Sequence, residues 1–96
     1  MGKYKLSKEA REDLRIIYKY TVINFVINQA KDYLNKFSNS FKALAIETLQ
    51  GRKADIFKEG LRKLGVGSHT VFYFNQNNYI LIIRVLHKSM DIKQHI

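Results

Sequence analysis

From residue 10 onward, apolar positions fall at helical spacing. Ala10, Leu14, Ile17, Tyr18, Thr21 and Phe25 recur at intervals of four, three, one, three and four, which is one face of an α-helix. Ser7 precedes the stripe and is a good N-cap, because its hydroxyl can accept an orphan backbone N–H. Glu9, Glu12 and Asp13 lie near the start, where the helix dipole favours negative charge. A second stripe, Ala30, Tyr33, Leu34, Phe37, Phe41, Leu44 and Ala45, predicts a second helix ending near Leu49. The break falls between Asn24 and Asn28: Asn24 can close the first helix in the left-handed conformation and Asn28 can cap the second. One continuous helix is the alternative. Two amphipathic helices with a short joint form an αα-hairpin.

The rest of the chain reads as strands. Tyr4-Lys5-Leu6 is a short extended stretch. Gln50 to Glu59 is polar and reads as a loop with a turn near Asp55 to Phe57. Leu61–Val66, Ser68–Asn75 and Tyr79–His87 form an antiparallel meander, with Gly65 and Gly67 flanking one turn and Gln76-Asn77-Asn78 making the other. The last strand is apolar on both faces except for Arg84, so it belongs deep in the sheet with the earlier part of the chain covering it. The tail after His87 reads as a final helical turn or a mobile end. The expected fold is a single α+β domain over residues 1–96, β-α-α-β-β-β, with the helical hairpin packed on a small, mostly antiparallel sheet.

Composition adds one strong fact. Seventeen Lys and Arg stand against eight Asp and Glu, a net charge of +9. Such a balance attracts nucleic acid, an acidic protein or a nucleoprotein machine. With no cysteine there is no disulfide framework and no zinc–thiolate site. No run approaches the length of a membrane helix. A soluble cytoplasmic protein is expected.

Catalytic constellations are sparse. His69, His87 and His95 lack metal-ligand spacing, so no metal and no cofactor are expected. Arg62, Tyr73, Arg84 and His87, with His69 nearby, are the residue types a metal-free nuclease uses: Arg for phosphate charge, His or Tyr for proton transfer. Strand parity counts against one tidy site, since His69 and Tyr73 share a face while Arg84 and His87 do not. The helix aromatics read as core. The basic stripe Lys8, Arg11, Arg15 and Lys19 reads as a solvated face, interrupted by Glu12 and Asp13.

The segments YKLSKEAREDLRIIYKYT, FVINQAKDYL, GRKAD and GLRK, with the pair GSHTVFY and RVLHKSMD, carry a resemblance running from Tyr4 to His95. The chain resembles the ParE toxins of the RelE/ParE superfamily, the toxin halves of type II toxin–antitoxin modules. It departs at the helix joint, where Val26 replaces the usual glycine, and before Gly51, where Thr48 and Leu49 replace a usual proline. The resemblance implies the small RelE-like α+β fold. It also implies growth arrest by binding DNA gyrase, most simply its A subunit, without turnover. A ParD-like antitoxin would neutralise the toxin, and the pair would reach operator DNA only through the antitoxin.

On that reading Arg84, His87, Ser89, Met90 and Asp91 face the target. Arg11, Arg15, Tyr18 and Arg62 face the antitoxin. RelE-like relatives instead cut mRNA on the ribosome, and for that alternative the set Arg62, Tyr73, Arg84 and His87 is the machinery. An inactive homologue that only binds its antitoxin is a third reading.

Overall fold

The computed structural model describes residues 2–96. Strand β1 (Tyr4–Leu6) leads into helices α1 (Lys8–Asn24) and α2 (Ile27–Ala45). Strands β2 (Arg52–Lys53), β3 (Leu61–Val66), β4 (His69–Asn75) and β5 (Ile80–His87) follow, and a 3-10 turn spans Ile92–Gln94. The sheet order is β1-β5-β4-β3-β2. β1 runs parallel to β5; the other pairings are antiparallel. The expected α+β architecture is therefore present, with one addition: Arg52 and Lys53, expected in a loop, pair with Lys63 and Arg62 as a two-residue edge strand.

Ser7 joins the helices to the sheet. Its Oγ accepts the Ala10 N–H at 3.0 Å and donates to the Ile83 carbonyl at 2.8 Å. Its own N–H donates to the Ile82 carbonyl at 2.9 Å. One residue thus caps α1 and extends the β1–β5 ladder by one step.

The helix joint differs from the expectation. Asn24 stays helical, with its side-chain amide donating to the Tyr20 carbonyl at 2.8 Å. Phe25 and Val26 are extended, and Val26, not Asn28, occupies the N-cap without a side-chain bond. The Phe25 N–H still reaches the Thr21 carbonyl, so α1 completes its ladder before the chain turns, and no left-handed residue is needed.

Helix α2 ends at Ala45, earlier than Leu49. The Glu47 N–H bonds the Leu44 carbonyl and the Thr48 N–H bonds the Ala43 carbonyl, at 3.2 and 3.0 Å. That is a Schellman closure, with Glu47 at φ 62° where glycine is usual.

The helices cover one face of the sheet. Ala10, Ile17, Phe37, Phe41 and Leu44 pack there on Val71, Tyr73, Ile80, Ile82 and Val85. Phe37 and Phe41 are almost fully buried, each worth about 2–3 kcal/mol in apolar burial. A second cluster, Leu61, Phe72, Leu86 and Ala54, lies on the opposite face, with Phe57, Ile83, Ile92 and Ile96 packed against it. The last strand does sit between two neighbours, and the earlier chain covers it, the helices on one side and the turn after β2 on the other, where the C-terminal segment joins in. The tail is thus a docked 3-10 turn.

Both faces are served because β5 carries a bulge. Phe72 pairs with Arg84 while the adjacent Tyr73 pairs with Ile82, leaving Ile83 as the extra residue. The bulge turns both Ile82 and Val85 toward the helices although they are three positions apart.

Candidate functional site

The residues singled out in the sequence separate into three places. The first is the end of the sheet near the β3–β4 turn. His69 and His87 are cross-strand partners with ring centroids 5.2 Å apart, edge to face. The Tyr33 hydroxyl lies 2.7 Å from His69 Nδ1 and accepts the Ser68 N–H at 2.9 Å. The hydroxyl oxygen keeps both a proton to give and a second lone pair, so it can pair with His69 Nδ1 in either tautomer. Burial first, and then the neighbouring His87, hold the His69 imidazole below the usual histidine range.

His87 Nδ1 accepts the Ser89 N–H at 3.1 Å and lies 2.8 Å from the Ser89 hydroxyl. Both rings border a cleft of about 430 Å³ shared with Tyr20, Phe25 and Tyr33. Gly67 makes the close approach possible. It sits at φ 57°, and a Cβ there would lie 2.6 Å from the Tyr33 ring.

The second place is built on Gly51. Its N–H donates to the Tyr73 hydroxyl at 2.8 Å, and its carbonyl accepts from Arg62 Nη1 at 2.8 Å. Arg62 and Tyr73 are cross-strand neighbours, so both reach the same residue. Tyr73 is 1% exposed. A Cβ at Gly51 would fall 2.5 Å from the Lys63 carbonyl oxygen, so only glycine fits.

The third place is the edge of β5 beyond β1. Arg84 Nε and Nη2 donate to the two oxygens of Asp13 at 2.8 and 2.9 Å, and Nη1 donates to the His95 carbonyl at 3.0 Å. Asp13 Oδ2 also accepts the Val85 N–H at 2.9 Å. The Asp13 carboxylate holds the Arg84 guanidinium above the usual arginine range, more than burial lowers it.

The set Arg62, Tyr73, Arg84 and His87 is therefore not gathered at one point. Tyr73 and Arg62 share Gly51, Arg84 turns to α1, and His87 faces His69. Among the C-terminal residues, His87, Ser89 and Met90 are exposed at the strand end, while Asp91 caps the 3-10 turn by accepting the Lys93 N–H at 3.0 Å. Arg11 and Tyr18 are exposed on α1, and Arg15 is held by Glu12, its Nε donating at 3.0 Å. Among the described residues, no group of three or more His, Cys, Asp or Glu could hold a metal ion.

Two residues differ from the sequence expectation. Asp13 is not solvated surface charge: it falls with Ala10, Leu14 and Ile17 on the sheet-facing stripe of α1. An acid at that spacing is the signal of a buried partner. Tyr33 is not core alone: its hydroxyl on an otherwise apolar stripe asks for a polar neighbour.

A family model described as the ParE toxin of the type II toxin–antitoxin system parDE matches residues 4–92. The chain belongs to the ParE toxin family. It is 34% identical over 96 residues to Toxin ParE1 of Mycobacterium tuberculosis, covering 99% of this chain and 98% of that one. It is 33% identical to Toxin ParE1 of Caulobacter vibrioides, over 100% of this chain and 99% of that one.

The fold of this ParE-family toxin is similar to a chain from the chromosomal ParDE system of P. aeruginosa. The TM-score is 0.76 at 21% identity, covering 91% of this chain and 96% of that one. It is also similar to a conserved hypothetical protein of Helicobacter pylori, with a TM-score of 0.56 at 14% identity, over 93% and 97% of the two chains. This ParE-family chain is thus a toxin of a type II toxin–antitoxin system. Among its described residues no helix is long and apolar enough to cross a membrane.

Proposed function

We propose that this toxin arrests growth by binding DNA gyrase, through the A subunit, in the state where the enzyme has cleaved DNA, and that it does so without turnover. The observation that carries the reading is the family match, which continues through RVLHKSMD to residue 92. The site geometry supports binding over catalysis. Tyr73 is buried with its hydroxyl accepting a backbone N–H, and Arg84 is already neutralised by a carboxylate.

A ParD-like antitoxin neutralises the toxin in the cytoplasm and alone recognises the operator sequence. Its acidic, disordered segment folds onto the cationic hairpin, where Arg11, Arg15 and Tyr18 are exposed, and along the sheet edge near Arg62. The apolar anchors for such a segment are at hand. Tyr20, Ile23, Phe25, Val26 and Ile27 at the hairpin tip are each more than half exposed.

The target-facing residues are His87, Ser89, Met90 and Asp91; Arg84, largely buried and held by Asp13, acts by positioning the strand end from which they project. Ile92 and Ile96 pack on the outer cluster, so truncation after His87 would disturb folding as well as contact. Point changes at Ser89 and Met90 test the surface more cleanly.

The experiment is a gyrase supercoiling and cleavage assay with purified toxin, run beside an mRNA-cleavage assay on translating ribosomes. Linearised, gyrase-linked plasmid with intact mRNA is the expected result. Cut mRNA with unaffected gyrase would replace this reading with the endoribonuclease one. Growth unaffected by expression would point to an inactive homologue.

A further inference from the structure

The two-rung ladder between β2 and β3 pairs like charges with like. Arg52 faces Lys63, and Lys53 faces Arg62. Directly opposed like charges weaken a sheet. Among the described residues the ion pairs are Arg15–Glu12 and Arg84–Asp13, so none of these four cations is offset by a carboxylate.

Arg52 and Lys63 border a groove of about 450 Å³, which Lys88 closes from the far side. Gly65 and Thr70 also line it, and no carboxylate does. A Cβ at Gly65 would lie 3.5 Å from Lys88 Nζ, so the lysine chain lies across the missing side chain. From β2 to the end of β5 the three cations span three inter-strand steps of about 4.8 Å.

We propose that this groove binds a nucleic-acid phosphodiester backbone, independently of whether gyrase is the target. The cations recognise phosphate, and the missing side chain at Gly65 gives the Lys88 chain room to lie along the groove. Contacts from cations to phosphate carry no sequence information, so this binding is sequence-independent and strongly salt-dependent. An acidic peptide is the rival occupant. It needs apolar anchors, and Leu64 is the one large apolar side chain lining this groove.

The test is fluorescence anisotropy of purified toxin with a short DNA duplex, and with single-stranded DNA and RNA of the same sequence, between about 50 and 200 mM salt. For whichever nucleic acid binds most tightly, the slope of log affinity against log salt should fall by about one for each cation removed. The R52Q/K63Q/K88Q variant should therefore lose about three. K8Q/K19Q/K31Q removes the same charge from exposed positions on the two helices and should leave the slope nearly unchanged.

K63Q alone relieves a like-charge pair. It should melt no lower than the parent while losing one unit of slope, which separates binding from folding. Equal losses in both triple variants would overturn the proposal, as would no binding by the parent at low salt. So would weakened antitoxin affinity in R52Q/K63Q/K88Q with nucleic-acid affinity intact. Loss of gyrase inhibition with these slopes preserved would count against the gyrase reading and leave this one standing.

Discussion

Asp13 and Arg84 meet as a two-pronged ion pair across the open edge of β5, with N···O distances of 2.8 and 2.9 Å. β1 pairs only with Ile80 to Ile82, so the strand edge beyond has no strand neighbour on that side. Asp13 fills the gap by also accepting the Val85 N–H. Both side chains are largely buried, at 20% and 11% exposure for Arg84 and Asp13, so this pair is not screened like a surface bridge.

Asp13→Asn should therefore destabilise the fold by about 2 kcal/mol, since Arg84 is left without its counter-charge while the amide oxygen still serves Val85. Asp13→Ala should lose about 3 kcal/mol because the Val85 N–H is orphaned too. Urea unfolding midpoints measure both, and equal effects from the two variants would remove Val85 from this account.

Tyr73→Phe leaves the buried Gly51 N–H without an acceptor, and a loss of about 1–2 kcal/mol follows. Growth arrest at low temperature should persist in this variant, because the hydroxyl is structural. Arrest abolished in a folded Tyr73→Phe protein would restore the tyrosine as a catalytic group. Gly51→Ala forces a methyl against the Lys63 carbonyl and should lose about 1–3 kcal/mol.

Glu47 holds a left-handed conformation that side chains rarely adopt. Glu47→Gly should raise stability by about 0.5–1 kcal/mol, relief of that strain outweighing the added freedom of the unfolded chain. Thermal melting decides it, and a lower melting temperature would mean that the Glu47 side chain has a role of its own.

The unfolded chain takes up a proton at His69 near its usual pKa of about 6.5, and the folded protein takes it up only at lower pH. The unfolded state thus binds more protons as pH falls below that value, and stability drops with it. The urea midpoint should be lower at pH 5 than at pH 7.5. The drop should be smaller in His69→Gln, where a neutral amide can still accept from Tyr33. An equal drop in both proteins would assign the pH dependence to other groups.

At the hairpin tip Ile23 is 73% and Val26 64% exposed. Replacing both with lysine should change stability by no more than about 0.5 kcal/mol each, since neither is packed. Antitoxin affinity measured by calorimetry should fall at least about tenfold, which is the loss of one or two apolar anchors. Unchanged affinity would move the antitoxin's contacts elsewhere.

Local chemistry made much of this fold legible. Ser7, the two helical stripes and the asparagine turn each act through near neighbours, and each stands where the pattern put it. What stayed hidden depends on distant partners or on an unexpected residue. The α2 terminus was placed late because its left-handed position is a glutamate, and the helix joint turns on two extended residues with no capping side chain. The bulge at Ile83 cannot be seen in a run of apolar residues, yet it decides which side chains of β5 share a face. Gly51 looked like an ordinary loop glycine, because the tyrosine and arginine that crowd it come from two other strands. Of the candidate site, the residue types were legible and their division among three places was not.

The pairing of β1 with β5 has a consequence for how this toxin is made. The first strand to leave the ribosome finds its hydrogen-bonding partner only in residues 80–82, and Ser7 and Asp13 find theirs in residues 82–85. Until β5 emerges, the helices have only β2, β3 and β4 to cover, and β1 has no strand to pair with. Products terminated before β5 therefore cannot close the sheet or complete the helix-side core.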